Sequence, residues 1–283
     1  MLIDAAWREY FSNPHEGLGT TYERFVLHKF FKELNSRYSI EKVLEAPSFG
    51  MTGLSGINSL WWAYKGAGVT VVDDDKERIQ QIRRVWEGLS AKAHFVCQSS
   101  GFNALPFRDK SFDLGWNFAS VRFVADLNSF LNELARVSSK VIFICVPNEG
   151  NVWSFLMRLS QGKEKDVTAA FTDPEQIVNI MDKLGWSTNE RGYFDVPPWP
   201  DIAMKKEDFL RKIGFKKLAQ KLEKGNEQCL CILDYFNGNN RNMESEMLRH
   251  GFLEGFPSIF KKFWAHHRYF IFVPRAQRLM ATH

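Results

Sequence analysis

No apolar run in the sequence approaches the roughly 20 residues that a membrane-spanning helix needs, so no span is expected. Cysteine is scarce: Cys97, Cys145, Cys229 and Cys231 are the only four in 283 residues. That number excludes a disulfide framework in a chain of this length and points to a reducing, cytoplasmic setting. Cys97 and Cys145 stand in apolar, strand-like runs and are expected as buried thiols. Cys229-x-Cys231 lacks the second pair that a zinc site would bring. No histidine pair combines ligand spacing with acidic support, and the adjacent His266 and His267 are expected to point opposite ways on a strand, so no metal site is expected. A P-loop and a nucleophile elbow are both missing. Internal repeats and long low-complexity tracts are missing as well, and no secretory leader is expected, since the sequence opens Met-Leu-Ile-Asp and soon turns polar. Charge of one sign is also weak, at a net +4. The segment from Met204 to Glu227, with eight Lys or Arg against four acids, carries a surplus equal to that of the whole chain.

What is present is an ordinary globular composition, 45% hydrophobic and 25% charged, long enough for one large domain or two small ones. Aromatics are abundant, with 25 Phe and 9 Trp, and are read chiefly as core. Ala5–Phe11 is a short amphipathic helix, broken at Ser12–Gly17. A longer helix follows, with Thr20 or Thr21 as its cap and Phe25, Leu27, Phe31 and Leu34 as its apolar stripe. These helices make residues 1–40 a lead-in, and Tyr10, Tyr22 and Arg24 are candidates for a lid.

The chain is organised around Val43 to Asp75. Val43-Leu44 reads as a strand ending at Glu45. A loop from Ala46 to Gly56 holds Gly50, Gly53 and Gly56, and Ser55 or Asn58 caps a helix running to about Tyr64. Val69–Val72 reads as a strand buried on both faces, ending in Asp73-Asp74-Asp75. Carboxylates at such a tip accept hydrogen bonds from a ribose diol, so an adenosine-like ligand is expected. Lys76–Ser90 is an amphipathic helix, Ala93–Cys97 and Phe112–Phe118 are strands, Leu127–Val137 a helix and Val141–Val146 a buried strand. Alternating strands and helices make an α/β fold with a parallel sheet covered on both faces. Beyond it, Asn151–Leu159 and Pro174–Leu184 read as helices, Trp186–Val196 and Arg268–Val273 as strands. Residues 197–265 form a helical cap inserted before the final strand. There Lys261-Lys262-Phe263-Trp264 and Arg268 mix charge with aromatics.

The order Val43-Leu44-Glu45, glycine-bearing loop, Val69–Asp75, then Leu105-Pro106-Phe107-Arg108-Asp109-Lys110-Ser111-Phe112-Asp113 resembles the class I S-adenosylmethionine-dependent methyltransferases. More narrowly, it is similar to the subgroup with an L-P-F-x-D-x-S-F-D motif before the fourth strand. The resemblance covers roughly residues 40–150 and implies a Rossmann-like sheet of seven strands, mostly parallel, with an antiparallel last strand and S-adenosylmethionine as cofactor. It implies that Glu45, Ala46, Pro47, Gly50 and Gly53 surround the methionine half, that Asp73 and Asp74 take the ribose, that Phe102 and Asn103 lie beside the adenine, and that Asn117 and Phe118 mark where donor meets acceptor. Pro47 and Phe49 stand where the family has glycines, and 28 positions separate Glu45 from Asp73. The implied activity is methyl transfer to a small or medium-sized molecule at residues 41–283, with no catalytic base identifiable. The alternatives are a degenerate, non-catalytic binding protein of the same fold, or a methyltransferase of RNA or protein, and the small charge surplus does not favour nucleic acid.

Overall fold

The computed structural model describes residues 3–49, 53–151, 173–196, 231–249 and 251–276. Gly50, the 204–227 segment, Cys229 and all but the first residue of the helix expected over Asn151–Leu159 lie outside them. The sheet has seven strands, β1 (Lys42–Glu45), β2 (Gly68–Asp73), β3 (His94–Cys97), β4 (Phe112–Phe118), β5 (Ser138–Pro147), β6 (Trp186–Phe194) and β7 (His267–Pro274). Their order is β3-β2-β1-β4-β5-β7-β6. Strands β1 to β5 run parallel, and β7 lies antiparallel between β5 and β6. The strand order reverses between β1 and β4, which opens a crevice at their C-terminal ends.

Nine α-helices surround the sheet among the described residues: α1 (Ile3–Ser12), α2 (Gly17–Tyr38), α3 (Leu60–Tyr64), α4 (Lys76–Gly88), α5 (Leu127–Val137), α6 (Pro174–Lys183), α7 (Ile232–Phe236), α8 (Met243–Leu248) and α9 (Ser258–Trp264). The two-residue side-chain period of the strands divides the core. Val43, Val69, Val71, Leu114, Trp116 and Phe143 face α2, α3 and α4. Leu44, Val72, Ile142, Ile144, Phe270 and Phe272 face α5 and α6. Local caps agree with their residue types: Asp75 accepts from Glu77 and Arg78 at the start of α4, Asp126 from Ser129 at α5, and Asp173 from Glu175 at α6.

Three expectations need correction. Helix α2 begins at Gly17, so Thr20 and Thr21 lie inside its first turns, where the Thr21 hydroxyl donates back to the Gly17 carbonyl. Tyr22 is fully buried, and its hydroxyl is bonded to Glu254; α2 is a layer of the core along with α8, which packs on it. Cys97 is exposed, because it ends the edge strand β3.

Candidate functional site

The C-terminal tips of β2, β1 and β4 place Asp73, Glu45 and Asn117 side by side on the crevice edge, and all three are buried. The parallel register fixes this: Glu45 pairs with Val71 on one side and Trp116 on the other.

Asp73 has no solvent contact, and both of its oxygens are engaged. Arg78 reaches it from the first turn of α4, with Nη2 2.6 Å from Oδ1 and Nε 3.0 Å from Oδ2. The Ser48 hydroxyl donates to Oδ2 at 2.6 Å, and the Asp75 amide donates to Oδ1 at 2.9 Å. The Arg78 guanidinium also lies over the Phe49 ring, 4.4 Å from its centre. Phe49 and Ser48 therefore act together: one covers the buried ion pair and the other completes it. Asp74, next in the chain, differs. Its side chain is 49% exposed, and it shares Arg78 at 2.9 Å. Burial and the neighbouring Asp73 charge raise its pKa.

A cleft of about 540 Å³ opens here, lined by Pro47, Phe49, Asp74, Asp75, Arg78, Phe102 and Phe123. Of the residues assigned to the adenosine half, Asp74 and Phe102 line it, Asp73 lies beneath it and Asn103 is exposed.

Glu45 is in a different state. Burial pushes its carboxyl up to about 7, against the opposing hydrogen bonds from Ser59. Oε2 of Glu45 has no hydrogen-bond partner, and neither do Nδ2 and Oδ1 of the fully buried Asn117. Buried polar atoms without partners are costly, and Glu45 and Asn117 place three of them at two neighbouring strand tips. Ala46 is buried, with its amide bonded to the Trp116 carbonyl, while Pro47 accepts from the Ser120 hydroxyl. Phe118 is buried at the end of β4.

The loop over this edge is held by α2. Arg24, buried within it, donates from Nε to Glu16 Oε2 at 2.8 Å, from Nη2 to the Leu54 carbonyl at 2.9 Å and from Nη1 to Asn58 Oδ1. Glu16 in turn accepts from the Leu54 amide at 2.7 Å. Arg24 is thus a structural tie rather than a lid. Gly53 sits against this pair with φ +72°, and a Cβ there would come within 2.6 Å of Glu16 Oε1, so both conformation and space require glycine.

The Leu105–Asp113 motif does not line the cleft. Its backbone is gripped from α5: Arg136 donates to the Leu105 and Phe107 carbonyls and to Asp109, and Glu133 accepts from the Leu105 amide at 2.7 Å. Asp113 accepts from the amides of Glu41 and Lys42. The motif shapes the entry into β4 and aligns it with β1.

Sequence reasoning missed one cluster. His267, the first residue of β7, places Nε2 2.8 Å from Oε2 of Glu23 on α2 and 3.8 Å from Oδ2 of Asp195. Asp195 follows β6 and is also 2.9 Å from His266 Nδ1. His266 precedes the strand, so strand alternation does not separate the two imidazoles. The His267 ring rests 4.7 Å from that of Phe118, at the tip of β4. The available signal was Glu23 itself, a charge amid the apolar residues of α2. Farther along the cap, Phe263 and Trp264 are exposed, while Arg268 is tied to Glu175.

The comparisons with known proteins agree with this architecture. The family described as "Methyltransferase domain" matches residues 50–142, about a third of the chain. No curated protein matches the sequence. Among solved structures, a chain from the complex of the Haloferax volcanii Trm112 methyltransferase activator with a candidate methyltransferase is similar at 15% identity and TM-score 0.51, covering 95% of this chain and 97% of that one. A candidate sarcosine dimethylglycine methyltransferase of Galdieria sulphuraria gives 14% identity and TM-score 0.50, covering 87% and 84%. The YcgJ protein of Bacillus subtilis gives 12% and 0.50, covering 88% and 98%. The chain therefore has the Rossmann-like methyltransferase fold, and the stretch of it that runs from the glycine-bearing loop into β5 matches the methyltransferase-domain family.

Proposed function

We propose that the chain is an S-adenosylmethionine-dependent methyltransferase acting on a small or medium-sized molecule. The observation that carries this reading is the pairing of two buried, incompletely bonded polar side chains, Glu45 and Asn117, with a neighbouring cleft of about 540 Å³, within the range of small-molecule sites. The residues present fit the cofactor. Phe102 and Phe123 offer aromatic walls to a purine, and the half-exposed Asp74 carboxylate is free on one side to accept from a ribose diol. Asp73 supports that position through Arg78 instead of reaching the sugar, because its oxygens are already occupied. Glu45 faces the methionine end, where a cation beside it would favour its ionised form and release the proton held at the carboxyl.

When bound, the cofactor supplies a methyl group already activated on a sulfonium. The protein's part is alignment and exclusion of water. The buried floor of Ala46, Asn117 and Phe118 provides the dry surface, and the Arg24–Glu16 tie keeps the loop above it in one place.

A second reading, a binding protein of the same fold without catalysis, is favoured by the Arg78–Asp73–Ser48 lock on the ribose side. Calorimetry with S-adenosylhomocysteine separates the two. Micromolar binding supports the enzyme reading, and no binding at millimolar ligand would sink it. An Asp74→Asn variant should lose affinity without losing its fold.

A further inference from the structure

We propose that Glu23, Asp195 and His267 form a binding site for a divalent first-row transition metal ion, with His266 supporting it from behind Asp195. One donor atom from each of the three residues falls within 4.8 Å of the other two. Donors around one ion at roughly 2.1 Å each lie about 3–4 Å from one another, and the His267–Glu23 and His267–Asp195 separations of 2.8 and 3.8 Å are close to that spacing. The donors come from three separate elements: α2, the residue after β6, and the start of β7. The fold, not local sequence, has brought them together.

Charge points the same way. Two carboxylates are buried here, Asp195 with 0% of its side chain exposed and Glu23 with 8%. Arg24, next to Glu23, is already committed to Glu16. His267 Nε2 carries at most one proton and, of the two carboxylates, lies within hydrogen-bonding distance of Glu23 at 2.8 Å and not of Asp195 at 3.8 Å. A divalent ion on Nε2 neutralises both carboxylates at once and displaces the proton shared with Glu23 into solvent. His266 Nδ1, 2.9 Å from Asp195, then serves as the outer hydrogen bond that fixes a ligating carboxylate. An imidazole with two carboxylates suits zinc, manganese or iron(II) rather than calcium or magnesium. Three protein ligands leave positions open for an exogenous one. Because the His267 ring lies against that of Phe118, those positions lie toward the acceptor end of the crevice. That last placement rests on the methyl-transfer reading; the metal site itself does not.

The test uses the full chain stripped of metal and titrated with Mn2+ alone, followed by electron paramagnetic resonance, with Zn2+ alone as a second probe in a thermal-shift assay. The expected result is one Mn2+ per chain and a Zn2+-dependent rise in Tm. Both should weaken by about a hundredfold in Glu23→Gln and Asp195→Asn, and about tenfold in His266→Gln. Glutamine and asparagine preserve shape, and asparagine tolerates the left-handed backbone at position 195, φ 64°. Circular dichroism of each variant establishes that it is folded. No binding at millimolar Mn2+ and Zn2+ by wild type overturns the proposal. So does binding that is unchanged in folded Glu23→Gln and Asp195→Asn, which would place the ion on surface histidines. Calorimetry with S-adenosylhomocysteine on the same metal-free protein reports the methyltransferase reading separately, so either can fail alone.

Discussion

Replacing Glu45 with glutamine should change how stability depends on pH, in a direction fixed by burial. In the folded protein the Glu45 carboxyl is pushed up to about 7, from an ordinary value of 4.5. A raised carboxyl keeps its proton in the native state over a range where the unfolded chain has lost it. Stability from this group is therefore full below about pH 4.5 and is lost as pH rises through about 7. Going from 4.5 to about 7 corresponds to about 3 kcal/mol, at 1.36 kcal/mol for each tenfold change in proton affinity. Glu45 is 2% exposed, so solvent screening takes little from that figure. Glutamine retains an acceptor for Ser59 and cannot ionise. It adds a donor that needs a partner, a cost that does not vary with pH. The diagnostic is thus the slope: about 2.5 kcal/mol of this is lost between pH 5 and 8, so the Tm of the variant relative to wild type should climb by roughly 5 °C or more over that range, at about 2–4 °C per kcal/mol. Differential scanning fluorimetry in a series of buffers measures it. Parallel curves for the two proteins would refute the burial argument, whatever their offset.

The two neighbouring aspartates should separate cleanly. Asp73→Ala leaves the Arg78 guanidinium without its main partner and should cost about 3–5 kcal/mol by urea denaturation, whereas Asp74→Asn should keep its denaturation midpoint and lose about tenfold in S-adenosylhomocysteine affinity, the worth of one hydrogen bond to a charged group. Arg24→Met should also cost about 3–5 kcal/mol through the stranded Glu16 carboxylate, and pairing it with Glu16→Gln should recover part of the loss; equal loss in the single and double variants would contradict that account. Gly53→Ala, at φ +72° and 2.6 Å from Glu16, should destabilise by about 1–3 kcal/mol, and a neutral effect in the same assay would mean the loop moves freely away from α2.

The strands were legible because burial on both faces writes itself as unbroken apolar runs, as in Val69–Val72 and Val141–Val146. The seven-stranded, mostly parallel sheet was implied by the resemblance that the Leu105–Asp113 motif carries, although that motif turns out to be scaffold held by Arg136 and Glu133. Its power to identify the fold comes from the geometry β4 needs in order to join β1, a demand on backbone that local residues satisfy. Cys97 failed for the opposite reason. A short apolar strand looks the same at the edge of a sheet as at its centre, and only the pairing tells them apart. Thr20 had the right chemistry for a cap but lay within a helix already begun at Gly17, where the Thr21 hydroxyl bonds backwards to the main chain.

The site was half legible on the same principle. Glu45, Asp73 and Asn117 are the last or next-to-last residues of their strands, so a correct strand ending places them on the crevice edge. Nothing local states what they touch there. Asp73 is closed off by Ser48, 25 positions away, and His267 meets Glu23 across 244. Helix α2 makes both kinds of contact. Glu16 and Arg24 fix the loop above β1, and one residue before Arg24, Glu23 reaches the imidazole at the start of β7. The stretch of α2 from Gly19 to His28 is buried throughout and has no solvent face on which to place charge, so Glu23 and Arg24 within it must find partners inside the protein. Glu16, Glu23 and Arg24 find theirs along the C-terminal edge of the sheet. The lead-in helix and the residue that precedes it therefore contact both ends of the crevice, the loop above β1 through Glu16 and Arg24 and the start of β7 through Glu23.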